Sequence, residues 1–163
     1  MSYSTLLDEL VALVHTVWTD VPTNSVFTAY EALRENIIEG KAASTLALPA
    51  VVIDAGQRVP EQSLSVDTDF QRLPLTIWYI TTQKTLATAS ISTGAQIYVA
   101  DKGNQLARYM RSHLGTTFQL MEMPMVDASV SDSFNAKVAI ESKTEFIACS
   151  VSFHPGLIID ATL

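Results

Sequence analysis

The chain has 163 residues, 48% of them hydrophobic and only 17% charged, with a net charge of −7. That length suits one domain, spanning 1–163, which can bury a core without staples. The acidic balance and the scattered Lys and Arg argue against a nucleic-acid footprint, since phosphate contacts need a basic face.

One cysteine, Cys149, rules out an intrachain disulfide, so the fold does not depend on an oxidising compartment. No apolar run approaches the roughly 20 residues that span a bilayer, and residues 1–7 lack the basic start and apolar core of a signal peptide. The expectation is a chain made and folded in a cytoplasm, with no membrane partner. A charged fraction below the usual one of about 25% leaves more neutral surface, which favours an oligomer.

In chain order, residues 3–18 read as an amphipathic helix. Leu6, Leu10, Leu13, Val14 and Val17 form its stripe, Ser2 or Ser4 can cap it, and Asp8 and Glu9 sit near its positive end. Val21-Pro22 ends it. From Ser25 to Glu39, Phe27, Tyr30, Leu33, Arg34 and Ile37 favour a second helix stopped by Gly40. Val26, Thr28 and Tyr30 also fit a short strand. Residues 41–48 are a connector of small residues. Residues 49–55, PAVVIDA, read as a strand opened by a proline.

Residues 56–72 are polar and form either a long loop or a protruding hairpin arm. Residues 73–82 are a second strand, with Leu75, Ile77 and Tyr79 on one face and Trp78 and Ile80 on the other; both faces read as at least partly covered. Residues 83–95 read as a connection. Gln96 to Leu114 is the best helix of the second half: Val99, Leu106, Met110, His113 and Leu114 recur at helical spacing, with Gly103 on the stripe and Gly115 at the stop. Its Lys102, Arg108 and Arg111 against Asp101 give it a net +2, read as a solvated face. Strands are expected at 116–123, at 125–130 and at 146–153. Between the last two lies a second polar arm, 131–145, and His154-Pro155-Gly156 is a turn. The tail 157–163 is apolar enough to dock, on a neighbour or on its own chain.

Paired consecutive strands imply an α+β fold: a mostly antiparallel sheet of four to five strands, two to three helices packed on it, and long polar arms. Chemistry-bearing motifs are thin. Asp67-Thr68-Asp69 could offer two carboxylates to a hard cation but has no glycine-centred loop. His15, His113 and His154 stand too far apart for a zinc pair. Cys149 sits in an apolar strand, where packing is its usual role. Ser131-Asp132-Ser133 matches no nucleophile elbow or phosphate loop. Met121, Met123 and Met125 alternate along a strand and read as packing. No catalytic residue, metal ligand or cofactor site is assigned, and an enzyme is not expected.

The layout itself is informative. An N-terminal helix precedes the Pro49–Val52 strand, followed by a long polar arm and a strand ending near Thr81. Then come a helix of the form Ala100…Leu106…Met110…Leu114, strands carrying Asp127 and Asn135, and a last apolar strand ending at Phe153. This layout resembles the tail-terminator (tail-completion, minor tail) proteins of tailed bacteriophages. The resemblance implies a small α+β subunit in the virion tail or neck that assembles with itself into a ring, commonly a homohexamer. Such a ring caps the tail tube and meets the tube protein and the neck or connector proteins, with no cofactor. The second helix proposed at 25–39 departs from that layout. A neck or head–tail connector protein and a small-ligand-binding domain are the alternatives.

A closed heterologous ring needs two different complementary faces on each subunit. The two arms are the candidates, with Arg58, Arg72 and Lys137 set against Glu61, Asp67, Asp69 and Asp132. An acidic lumen lets DNA pass without binding it; one lined by Arg108 and Arg111 would hold it.

Overall fold

The computed structural model describes residues 3–29, 48–55, 59–65, 68–72, 74–88, 94–112, 125–127, 146–153 and 156–160. It is mixed helix and strand, with helices lying on an antiparallel sheet. Helix α1 is Tyr3–Val17 and strand β1 is Val26–Ala29. The next strands are β2, Ala50–Ala55; β3, Val59–Ser65; β4, Thr68–Arg72; and β5, Leu75–Thr82. Helices α2, Gln83–Thr88, and α3, Ala95–Ser112, follow. Strands β6, Met125–Asp127, β7, Phe146–Phe153, and β8, Gly156–Asp160, complete the described elements.

The sheet is built on β5, which pairs antiparallel with β2 on one side and β7 on the other. Strand β1 adds to β2 in parallel, and β6 adds to β7 antiparallel. Alternation along β5 sends Leu75, Ile77 and Tyr79 into the core with Val51 and Ile53 of β2 and Ile147, Cys149 and Val151 of β7. From above, α1 contributes Leu10, Leu13, Val14 and Val17, and α3 contributes Val99, Leu106, Ala107 and Met110. Leu10, Leu13, Val14 and Val17 of the first expected stripe and Val99, Gly103, Leu106 and Met110 of the second are buried, and His113 and Leu114 lie outside the described residues. On the opposite face Ala50, Val52, Ile80 and Ala148 are buried too while Thr76 and Trp78 are half-buried, so that face is partly covered, as the apolar run of β5 implies.

The ladder does not end with this sheet. Leu75 faces Phe153, and three residues further along each strand Arg72 faces Gly156, so the register of β5 with β7 continues unchanged into β4 with β8. Each of the two breaks contains a proline, Pro74 and Pro155, which has no N–H to give to a ladder. Strands β2 and β3 run along the other side of this pair, Ala55 facing Leu75 and Val59 facing Arg72. Strands β3 and β4 therefore pair as a β-hairpin where a loop was the other expectation, and the apolar tail from Gly156 docks on its own chain as the third strand.

Several expectations are corrected. The helix expected from Ser25 gives way to a 3-10 turn at Thr23–Ser25 and to β1; Val26 and Thr28 lie beside Val51 and Ile53, where β-branched residues fit the pleat better than a helix. The remainder of that helix, 30–39, lies outside the described residues. The connection expected at 83–95 contains α2, whose start is capped by Thr82: its Oγ1 accepts the Thr85 backbone N–H at 3.1 Å. Asp8 and Glu9 fall beyond the first turn of α1, which holds no acidic residue. Of the strand expected at 125–130, Met125–Asp127 is in place. The strand expected at 116–123, with Met121 and Met123, and the arm 131–145 lie outside the described residues.

Ile77 and Thr81 are both fully buried on β5, yet the Thr81 hydroxyl has no hydrogen-bond partner among the described residues. Ile77→Ala should cost about 2–5 kcal/mol from lost transfer energy and the cavity left behind. Thr81→Val should be neutral or stabilising by roughly 1 kcal/mol, because it removes a desolvated hydroxyl. Urea unfolding midpoints of the two variants test this contrast.

Candidate functional site

The strongest polar constellation lies where the end of α1 meets α3 and β5. Trp18 closes α1, its N–H still bonded to the Val14 carbonyl at 2.7 Å, and the chain turns so that Val21 N–H reaches the Trp18 carbonyl at 3.1 Å. Pro22 forbids further helix. This turn carries Asp20 over the side chains of α3. Lys102 Nζ donates to Asp20 Oδ1 at 2.7 Å, and the Tyr79 hydroxyl donates to Asp20 Oδ2 at 2.6 Å. The Tyr98 hydroxyl makes a longer contact with Oδ2 at 3.5 Å. Lys102 Nζ also lies 5.6 Å from the Tyr79 ring centre and 5.4 Å from that of Tyr98, within cation–π range.

Trp18 makes the floor of this clasp. Its indole is fully buried, meets the Tyr79 ring edge-on at 5.2 Å, and donates its Nε1–H to the Lys102 carbonyl at 3.1 Å. Three segments far apart in sequence are thus tied through one carboxylate and one indole.

The electrostatics hold each proton in place. Burial pushes the Asp20 carboxyl upward, but the hydrogen bonds from Lys102 and Tyr79 and the Lys102 charge outweigh it and leave the carboxyl below its ordinary value. Burial, and then the Asp20 hydrogen bond and charge, push the Tyr79 hydroxyl far above its ordinary value. Asp20 stays a carboxylate and Tyr79 a neutral phenol near pH 7. Neither is poised to exchange a proton there, as general acid–base chemistry requires.

Beside the clasp an open groove of about 870 Å³ runs between the two long helices. It is lined by Thr16 and Val17 from α1 and by Asp101, Asn104, Gln105 and Arg108 from α3, among others. Gln105 Nε2 donates to the Val17 carbonyl at 3.3 Å and so tethers the end of α1. The side chains of Asp101, Asn104 and Arg108 make no hydrogen bond or ion pair with any described residue, and all three residues are exposed.

Of the expected contact residues, Glu61 lies on β3, and Asp69 and Arg72 lie on β4. Asp69 faces Ser63 on one side and Ile159 on the other; Arg72 faces Val59 and Gly156. Arg58, Asp67, Asp132 and Lys137 lie outside the described residues, as do His113 and His154. His15 is half-buried on α1, and Cys149 is fully buried in the core. Among the described residues no three His, Cys, Asp or Glu come together to hold a metal ion, and no helix is long and apolar enough to cross a membrane.

Lys102 corrects the reading of α3 as a solvated basic face, because its side chain is only 16% exposed and committed to Asp20. Nothing in the spacing of Trp18, Asp20, Tyr79, Tyr98 and Lys102 signals that they meet. The one hint is an aspartate between an apolar helix and a proline. No protein family and no curated protein matches the chain.

The clasp makes a pH-dependent contribution to stability. Asp20 remains 34% exposed, so water screens the pair, and the ion pair should contribute only about 1 kcal/mol. The depressed folded-state value means that this contribution is full above the unfolded aspartate value of about 3.9 and is lost as pH falls through the lower folded value. Asp20→Asn should therefore be destabilised by roughly 1 kcal/mol at pH 7 and approach the parent protein as pH falls through the parent's depressed folded-state value. Denaturant titrations of both proteins at pH 7 and over a falling pH series check it.

Proposed function

We propose that the chain is a structural virion protein, resembling a phage tail terminator, which forms a ring with copies of itself, caps the tail tube and joins it to the neck or head. The observation that carries this reading is the β-ladder that runs on from the helix-covered sheet into the β3–β4–β8 hairpin unit. Such a unit gives a small subunit a second face, distinct from the helical one, as a heterologous ring requires.

On this reading the main sheet has four to five strands with two to three helices on it. The chain is a single domain with arms about 56–72 and 131–145, and the arm charges set register between neighbours. The ring needs no cofactor and performs no catalysis. DNA passes through its lumen without sequence recognition, and the protein is made in the host cytoplasm and ends in the tail or neck. A neck or head–tail connector protein uses the same style of subunit and shares these features.

A second reading, a small-ligand-binding domain, is favoured by the groove between α1 and α3, whose volume falls in the usual range of about 300–1,000 Å³. Its open mouth, with Asp101, Asn104 and Arg108 exposed along it, favours a macromolecular occupant instead.

Size-exclusion chromatography with light scattering, and negative-stain imaging of the peak, should show a closed ring of about six subunits, alone or on added tail tubes. A monomer under both conditions would remove the ring reading and move weight to the ligand-binding one.

A further inference from the structure

We infer that the exposed face of α3 pairs with the same face of a second copy of this chain. The two helices run antiparallel about a two-fold axis beside Asn104 and Gln105, so that Asp101 of each copy meets Arg108 of the other. The contact goes beyond the ring reading: a two-fold pairing closes on itself and is separate from the head-to-tail contacts that close a ring.

The face is built at helical spacing. Ile97, Asp101, Asn104 and Arg108 follow one another at intervals of four, three and four, which puts them on one side of α3, and all four are exposed. Asp101 and Arg108 are the charged residues lining the groove, seven positions apart, or about 10 Å along the axis. Neither side chain has an ion pair or hydrogen bond with any described residue. The other cations of α3 are engaged: Lys102 is paired with Asp20 within the subunit, and Arg111 has a contact of its own.

The order of the charges selects the occupant. A partner surface of one sign gains at one of these two residues and loses at the other. The complement must present an arginine and an aspartate at the same separation and in reversed order. The face itself, turned about a two-fold axis, is that complement. The midpoint of 101 and 108 falls between Asn104 and Gln105, so antiparallel pairing there forms both Asp101–Arg108 pairs at once. Parallel pairing in register would set Asp101 on Asp101 and Arg108 on Arg108. Packed helices lie about 8–10 Å apart, a gap that an Arg–Asp pair spans. In the antiparallel count Arg111 stands opposite Tyr98 and meets no cation of the partner.

Two neutral residues fit the same axis. Asn104 holds donors and an acceptor in one side chain, so it can pair with its own copy across a two-fold, which a charged residue cannot. Ile97, 61% exposed, is the large hydrophobic residue left uncovered among those described. Antiparallel pairing lays it over the last turn of the partner's α3, where the aliphatic stem of Arg111 can cover it.

The test is a charge exchange read as mass by light scattering over a concentration series at low salt, with thermal melting to show that each variant folds. The pairing accounts for one doubling of mass: monomer to dimer where the chain forms no ring, one ring to two where it does. Asp101→Arg and Arg108→Asp should each raise the concentration needed for that doubling by about tenfold or more, because each turns two attractions into two repulsions. The double variant D101R/R108D restores opposite charges at both places and should double like the parent. So should an equal mixture of the two single variants, in which a basic face meets an acidic one.

Single variants that double like the parent would overturn the pairing, as would a double variant no better than the singles; either result leaves the ring reading standing. A parent with no doubling at any concentration would overturn it too, and a single ring formed alone or on tail tubes would then keep the ring reading.

Discussion

The described strands are ordered by two pairings in one register, Leu75–Thr82 with Phe146–Phe153 and Thr68–Arg72 with Gly156–Asp160. They bring a segment from the middle of the chain against one near its end, so their loop-closure cost must be met by burial. The burial is there: Leu75, Ile77 and Tyr79 of β5 are buried, and Ile77 and Tyr79 face the equally buried Val151 and Cys149 across the ladder. Once β5 and β7 are joined, β2 has only one free side of β5 on which to pair. The two long helices then have only one layer on which to lay their stripes. The hairpin unit inherits its position from the same register, since Arg72 faces Gly156 in the count set by Leu75 and Phe153.

The clasp around Asp20 belongs to this logic. Hydrophobic stripes on α1 and α3 specify that both helices face the sheet, but apolar contact is not directional and leaves rotation and sliding weakly determined. The Trp18 indole N–H needs an acceptor when buried, and it finds one in the Lys102 carbonyl. Asp20 then needs Lys102 and Tyr79 to remain charged at the edge of the core. These directional bonds select one seating of α1 against α3 among several that would bury similar area. They also fix the width of the groove beside them, since Gln105 ties the end of α1 to the same face of α3.

Much of this is legible in the sequence, and the rest is not, for identifiable reasons. The stripes of α1 and α3 and the alternation of β5 are local periodicities, and their burial follows from the pattern alone. The segment after Ser25 carries both a helical and a strand pattern, and a non-local partner, β2, decides between them. Strands β3 and β4 are hard to see because polar residues and a proline hide a ladder whose stability comes from its neighbours. The tail reads as an apolar end wanting cover, but not as a strand, because its partner β4 lies in the first half of the chain. The clasp leaves almost no trace, since it joins single residues from three segments and no spacing rule relates them.

The scarcity of charge ties these observations to assembly. In a chain with 17% charged residues, each ion pair formed within the subunit removes a large share of what is left for partners. Lys102 is spent inside, which is why α3 does not present the uniformly basic face that its sequence suggests. What remains on the groove is Arg108 at one end and Asp101 at the other, a pattern with a direction and not a patch of one sign. A uniform patch would attract any polyanion, including DNA threading a ring, and would hold it by counterion release. A single arginine opposed by an aspartate offers little to a polyphosphate. That is what the proposed ring would ask of a subunit whose lumen passes DNA without holding it.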